Sequence, residues 1–471
     1  MMKKLKRKSL NLKKYEKKYA MSIFFHLVIG FLVYVFKPLA LLYMLGIFVY
    51  FIAKITSNPQ QPLLVLKAAA YITGAEVLLR MTGGFVFYET GKYAVVLFML
   101  FGMFYHGFKK KAIVFIFYIA MLLPAIYVTF LEIGYEVSFQ KYILFNLSGP
   151  ISLTVAALFC YGRKLSLQDF FKIMDIMILP VISMTVYLIF YTPDLESVIV
   201  GSQSNFAASG GFGPNQVSTI LGLAMFYIGT RLFIPYKSNF LQILMIILLV
   251  IISFRALATL SRGGVLTAAI MLSVFVLSLL IYAKAKIKVQ TSFKLLLLML
   301  GVVVVIIYTA AQTNEQLYNR YTNKNASGIE KEDVSAGRFD VANAELEMFE
   351  QNPVFGVGVG MGKDYRLAND LTAASHNEIT RVISEHGTLG LISFLVLLLV
   401  PGFKILLNPR NLYMIPLVIF WGATINHSAM RVAAPGFIYG LALLSVTYPT
   451  KKSKKARKNK IHAQKNIALS R

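Results

Sequence analysis

The chain has 471 residues, of which 57% are hydrophobic and 15% charged, with a mean hydropathy of +0.64 and a formal net charge of +27. An ordinary soluble domain carries about 25% charged residues, so a soluble globular protein is excluded. Apolar runs recur at close to the roughly 20 residues that cross a bilayer as a helix, so the expected fold class is all-α: a polytopic transmembrane helical bundle of about 12–14 spans.

Taken in chain order, a basic tail (1–20) leads into spans expected at 21–36, 39–54, 62–80, 92–107, 111–130, 141–160, 170–191, 213–233, 240–260, 264–282 and 295–312. A polar loop (313–380) interrupts the series. Spans at 388–406, 411–426 and 432–448 follow, and a second basic tail (449–471) ends the chain. The domain division is therefore tail, helices (21–312), loop, helices (381–448) and tail. The first two spans turn tightly at Lys37-Pro38 and read either as two short crossings or as a re-entrant hairpin. The first apolar run lacks a small-residue cleavage site, so no cleavable signal is expected. The lone Cys160 excludes an intrachain disulfide and a cysteine-based metal site.

The net charge resembles a nucleic-acid signal until it is placed by topology. With the N-terminus inside, 34 of the 48 lysines and arginines fall on the inner side, against three acids there, Glu16, Asp169 and Asp175. This is the positive-inside pattern. It puts both tails in the cytoplasm and the 313–380 loop outside, and it removes the need for a nucleic-acid partner. The lysines of the tails then read as anchors on anionic membrane lipids.

Long loops inside compact domains are usually functional, and this one has internal order. Residues 335–351 suit a helix with Phe339, Ala342, Leu346 and Phe349 on its apolar face, ended by Asn352-Pro353. Gly356, Gly358, Gly360 and Gly362 then alternate, which reads as a packed turn at the membrane surface. Ser375-x-x-Glu378 has the form of a capping box that starts a helix at His376. The positive helix end favours neutral imidazole there, the state a general base requires. Gly387 ends or kinks that helix.

Arginines complete the candidate site. Arg262 stands at a span end in Ser261-Arg262-Gly263-Gly264, on the face where positive charge is sparse. Arg255 lies seven residues earlier, on the same face of a continuous helix. Arg338 opens the loop helix. Guanidinium pairs phosphate oxygens bidentately and needs no metal to do so; a snorkelling anchor is the plainer role for a single arginine at the surface. His427 and Arg431, four apart, are candidates for donor contact. Arg366 and Arg381 read as surface charges that could steer anions. Glu76 and Arg80, also four apart, read as a structural ion pair, with lining of a glycan cavity as the alternative.

Several of these residues, in order, resemble the bacterial O-antigen ligase and O-antigen polymerase family. Gly213-Pro214-Asn215-Gln216 opens a span. Arg262-x-x-x-Leu266 follows, then Arg338, then Asn352-Pro353-Val354-Phe355-Gly356-Val357-Gly358, then His376-Asn377, then Glu385-His386-Gly387. The resemblance covers roughly 205–400. It implies a metal-independent, inverting GT-C type membrane glycosyltransferase without cofactors. The donor would be an undecaprenyl-diphosphate-linked glycan and the acceptor a glycan or lipid A–core hydroxyl. The setting would be the outer face of the bacterial inner membrane, with a chain-length regulator as a further candidate partner. By carry-over His376 would be the general base, and Arg262 and Arg338 would hold the diphosphate. Arg255, Asn215, Asn377, Arg431, His427 and Arg381 would line the substrate. No Asp-x-Asp pair occurs in the external loops, which separates the chain from metal-dependent oligosaccharyltransferases. Ligase, polymerase and protein O-oligosaccharyltransferase share these motifs. A lipid-linked oligosaccharide flippase is the rival from another class, and a non-catalytic assembly factor ranks last.

Overall fold

The computed structural model describes residues 2–133, 139–331, 335, 337–371, 375 and 377–447. His376, the acidic pair Glu332-Asp333 and the C-terminal basic tail lie outside the described residues. The chain is an all-α, multi-pass membrane protein. Its helices are α1 (Met2–Val35), α2 (Leu39–Ser57), α3 (Pro62–Met81), α4 (Thr90–His106), α5 (Val114–Ala120), α6 (Pro124–Glu132), α7 (Phe139–Cys160), α8 (Leu167–Tyr191), α9 (Pro214–Phe233), α10 (Asn239–Ala258), α11 (Arg262–Tyr282) and α12 (Ala285–Ala311). Three loop helices follow, α13 (Gln316–Tyr321), α14 (Arg338–Gln351) and α15 (Gly362–Ala368), and then α16 (Glu378–Leu407), α17 (Met414–His427) and α18 (Ala434–Ala442).

Among the described residues, 11 segments are long and apolar enough to cross a membrane. Both members of the first hairpin qualify, Lys13–Val35 with 23 residues and Leu39–Ser57 with 19, so by length neither needs to be re-entrant. The span expected at 432–448 is shortened. Its helix stops at Ala442, and Ser445–Thr447 forms a strand, β2, that pairs in parallel with β1 (Lys164–Ser166). The backbone amides of that stretch are satisfied by a neighbouring strand rather than by a further helical turn.

The centre of the bundle is α3, α8 and α9, whose apolar windows are 72%, 78% and 83% buried, whereas α12 is only 6% buried and stands at the edge. Small residues set the contacts, as expected where no hydrophobic gain drives helices together in lipid. A Cβ on Gly74 of α3 would lie 2.0 Å from the Met177 carbonyl of α8, and one on Gly30 of α1 would lie 2.4 Å from the Ser183 carbonyl.

The expected Glu76–Arg80 pair forms, at 2.6 Å. Glu76 is fully buried, and its other oxygen accepts the Ala433 amide at 2.7 Å. Arg80 also donates to Gln216 and to the Arg431 carbonyl, and lies 4.0 Å from the Tyr88 ring centre. Removing one partner of a buried pair leaves an uncompensated charge, at a cost of about 3–5 kcal/mol. Glu76→Ala and Glu76→Gln are therefore both expected to lower the thermal unfolding midpoint in detergent, and Glu76→Ala the further, because glutamine keeps an acceptor for the Ala433 amide. A wild-type midpoint for Glu76→Gln would show that the charge contributes nothing.

Candidate active site

The site is built where α9 and α11 begin, α17 ends and the polar loop leaves the bundle. The Ser-Arg-Gly-Gly sequence has a packing reason. A Cβ on Gly264 would meet the Ser218 carbonyl at 2.0 Å, one on Gly222 would meet the Gly264 carbonyl at 2.2 Å, and one on Gly263 would meet the His427 ring at 2.3 Å. Only glycine lets the start of α11 close on α9 and α17 together. Polar contacts then fix the junction. Ser261 Oγ donates to Asn215 Oδ1 at 2.8 Å, Ser218 Oγ to the Ser261 carbonyl at 2.9 Å, and Asn215 Nδ2 to the His427 carbonyl at 3.2 Å.

This junction aims Arg262 at the polar loop. Its Nη1 donates to Asn323 Oδ1 at 2.6 Å and to the Arg320 carbonyl at 3.4 Å. Arg320 in turn donates from Nε to the Leu260 carbonyl at 3.0 Å. A short turn holds the partner in place, with Lys331 N bonded to the Asn323 carbonyl at 3.0 Å and Lys324 bridging to Glu330. The start of α14 brings Arg338 to the same place, close enough for the charges of Arg262 and Arg338 both to act on Arg320. Burial, followed by these two arginines, lowers Arg320 to about 10. Arg338 is also lowered, by partial burial and then by Arg262. Lys331 is lowered by burial, Arg320 and Arg262. Among the described residues no carboxylate acts on any of the three. Like charges so placed repel one another, and an arriving polyanion would relieve the repulsion.

The glycine-rich stretch repairs a break in α16. Gly387 has φ 61° and ψ −145°, which interrupts the helix as expected. The break frees the carbonyls of Ser384 and Glu385, and they are taken by the amides of Val357 at 3.0 Å and Gly358 at 3.1 Å. The Thr388 amide turns to the Pro353 carbonyl at 2.7 Å. The packed turn read from the sequence is thus a plug in a helix break. Beside it a buried ion pair, Arg366 to Glu345 at 2.6 Å, pins α15 to α14, while Thr380 of α16 also donates to Glu345. Burial raises the Glu345 carboxyl above its usual value, against the lowering effect of Thr380 and Arg366.

Three expectations need correction. Helix α16 begins at Glu378, capped by Asn377, whose Oδ1 accepts the Ile379 amide at 2.9 Å. Ser375 is not the cap; its hydroxyl donates to the Asn377 carbonyl, and Glu378 pairs with Arg381 instead of reaching back. On α14 the expected stripe is turned outward. Phe339 is 73% and Leu346 44% exposed, while Val341, Ala344, Glu345 and Met348 face inward, because the ion pair at Glu345 decides which side docks. Arg366 and Arg381 are not surface charges. Arg366 is buried, and Arg381 is enclosed by Glu378, Glu385 and Asn146.

The residues expected to line substrate are held by protein partners. Arg255, only 2% exposed, donates to the carbonyls of Leu188, Thr192 and Ala208, away from Arg262. His427 is engaged through Nδ1 with the Ala423 carbonyl and through Nε2 with Thr219. Arg431 donates to the Ser375 carbonyl at 3.1 Å and receives Arg80 at its own carbonyl. A polar belt therefore runs from Arg262 through Ser261, Asn215 and His427, and from Gln216 through Arg80 and Arg431 to Ser375. His376 lies outside the described residues, but its neighbours on both sides are fixed, Ser375 by Arg431 and Asn377 as the cap of α16. The sequence reading did not single out Arg320 or Lys331. Their type and loop position were visible, but not the turn that folds them back on Arg262.

No curated protein matches the chain. Residues 244–395, which carry Arg262, Arg320, Arg338, the glycine plug and the break at Gly387, match the protein-family model described as O-antigen ligase, and over that segment the chain resembles the O-antigen ligase family.

Proposed function

We propose that the protein is a membrane glycosyltransferase of the O-antigen ligase or polymerase kind. It transfers a glycan from a polyprenyl diphosphate, undecaprenyl diphosphate in the bacterial inner membrane, to an acceptor hydroxyl. The observation that carries this reading is the cluster of Arg262, Arg320 and Arg338, without a carboxylate among the described residues, inside the segment that resembles the family. A diphosphate at headgroup depth is the polyanion such a cluster suits. The charge distribution supports an outward-facing loop with both termini in the cytoplasm.

In this reading the acceptor oxygen attacks the anomeric carbon as its proton passes to His376. The bond from that carbon to the diphosphate oxygen breaks with inversion, and the electron pair leaves on the diphosphate. Arg262, Arg320 and Arg338 stabilise the charge that develops there, so no metal is required. The acceptor is a lipid A–core sugar for a ligase, the growing repeat-unit chain for a polymerase, and a protein hydroxyl for an oligosaccharyltransferase. A polymerase would work beside a chain-length regulator.

The test is His376→Ala in the full-length protein, assayed with a polyprenyl-diphosphate glycan and each acceptor class in turn. Loss of a general base is expected to lower transfer by about 10²–10⁴-fold with an unchanged unfolding midpoint. Wild-type transfer by the variant removes the base. Transport of the lipid-linked glycan without transfer would move the protein to the flippase class.

A further inference from the structure

A second charged site lies at the opposite end of the bundle. Arg231 is thirteen residues beyond Ser218 on α9, about 20 Å along the helix axis at 1.5 Å per residue. It is 5% exposed. Its guanidinium lies between two rings, 4.1 Å from the centre of Phe171 and 3.9 Å from that of Tyr236. Among the described residues its Nε has no hydrogen-bond partner. A buried donor left without an acceptor is costly, and the two rings and the nearby charge of Asp175 do not supply one to Nε.

The guanidinium faces a cavity of about 270 Å³ whose lining includes Tyr15, Lys172, Asp175, Tyr236 and Lys237. The carboxylates there are already engaged. Asp175 accepts hydroxyls from Tyr15 at 2.9 Å, Tyr227 at 2.6 Å and Tyr236 at 2.7 Å. Glu16 accepts the backbone amides of Lys237 at 3.0 Å and Ser238 at 2.9 Å. Lys172 pairs with Asp169 at 2.7 Å. Arg231, with Lys237 at the rim, therefore offers donors to an anion that the carboxylates of the cavity do not take up.

The cavity continues into a groove of about 530 Å³ between α1 and α10, with Glu16 and Lys237 common to both. Lys13 and Lys17 edge the groove at its polar end, and Met21, Phe24 and Phe240 form its apolar part. Phe24 and Phe240 are 49% and 59% exposed on the lipid-facing surface of two membrane helices, with their rings stacked at 6.4 Å. A cationic pocket that opens into an apolar groove matches one molecule with a phosphate at one end and an acyl chain at the other.

We propose that this cavity and groove bind one anionic phospholipid. Its phosphate is held by Arg231 and Lys237, its headgroup lies beside Lys13 and Lys17, and an acyl chain runs along Phe24 and Phe240. The site is separate from the Arg262 cluster and does not depend on the function proposed above. Free phosphate offers the same oxygens but has no use for the groove.

The test is a lipid titration of the full-length protein in detergent, read by native mass spectrometry. Dioleoyl phosphatidylglycerol is compared with dioleoyl phosphatidylcholine, with and without inorganic phosphate. One phosphatidylglycerol is expected to bind at least tenfold more tightly than phosphatidylcholine. Arg231→Gln is expected to abolish that preference, and millimolar phosphate is expected to leave it in place. The exposed pair Lys13→Gln/Lys237→Gln, which leaves Arg231 and its two rings in place, is expected to weaken phosphatidylglycerol several-fold, and it decides the matter if Arg231→Gln fails to fold. Equal binding of the two lipids overturns the proposal, as does unchanged phosphatidylglycerol affinity in the lysine double variant. Full displacement by inorganic phosphate overturns the lipid assignment.

Discussion

Arg262→Lys is expected to reduce glycan transfer by about 10²–10³-fold, the loss typical of removing one preorganised donor to developing charge. The substitution keeps the positive charge, so a side chain that only anchors the helix end would tolerate it. The geometry argues for more than an anchor. Among the described residues both hydrogen bonds of Arg262 leave from Nη1, to Asn323 and to the Arg320 carbonyl. Of the five N–H donors on a guanidinium, the three on Nη2 and Nε remain for an anion, in a plane that those two bonds orient. Lysine offers a point charge on a flexible stem and cannot supply that fork. The fall is expected in kcat more than in KM, since the leaving diphosphate gains charge as the bond breaks. An unchanged unfolding midpoint with the activity lost supports the assignment. Activity within a few-fold of wild type would return Arg262 to the role of a surface anchor.

The spans were legible in the sequence because the need to bury or match apolar surface acts residue by residue along the chain. A helix or helix pair stands at the place of each expected crossing, and the break at Gly387 was legible from the glycine itself. What failed to read out depends on partners far away in sequence. The helix at 338–351 carries two apolar stripes, and helical spacing cannot choose between them. The choice is made by Glu345, whose partners Arg366 and Thr380 lie on other helices. The same applies to Arg366 and Arg381, which are charged and therefore read as exposed, yet pair with carboxylates, Arg366 buried and Arg381 largely enclosed. Ser375 has the capping-box pattern, but Asn377 is as good a cap and stands closer to the first docked turn. Arg255 was paired with Arg262 by periodicity, which holds only while the helix continues. Leu260 has φ 54°, so the chain turns between α10 and α11 and the two arginines part.

Gly356→Ala should test whether the loop must be seated for transfer, and it has an internal control. Gly356 and Gly328 both have left-handed backbone, φ 72° and φ 80°, where a side chain costs about 1–2 kcal/mol. They differ in space. A Cβ on Gly356 would lie 2.4 Å from the Glu385 carbonyl carbon and 2.5 Å from the Ser384 oxygen, while one on Gly328 would meet nothing within 4 Å. Alanine at 356 must push the plug out of the helix break. The amides of Val357, Gly358 and Thr388 then lose their carbonyl partners, at about 1–3 kcal/mol for each group left buried and unsatisfied. The loop that carries Arg320 and Arg338 would lose its seat in the break of α16 and depend on the Thr380–Glu345 contact to hold it there, while the membrane helices have no reason to separate. Limited proteolysis is therefore expected to cut the 313–380 loop of Gly356→Ala at least tenfold faster than that of Gly328→Ala, with transfer lost only in the former. If both variants resist protease and transfer equally, the seam between 353–358 and 384–388 does not hold the loop. The arginine cluster would then have to be positioned by the Arg262–Asn323, Arg320–Leu260 and Thr380–Glu345 contacts.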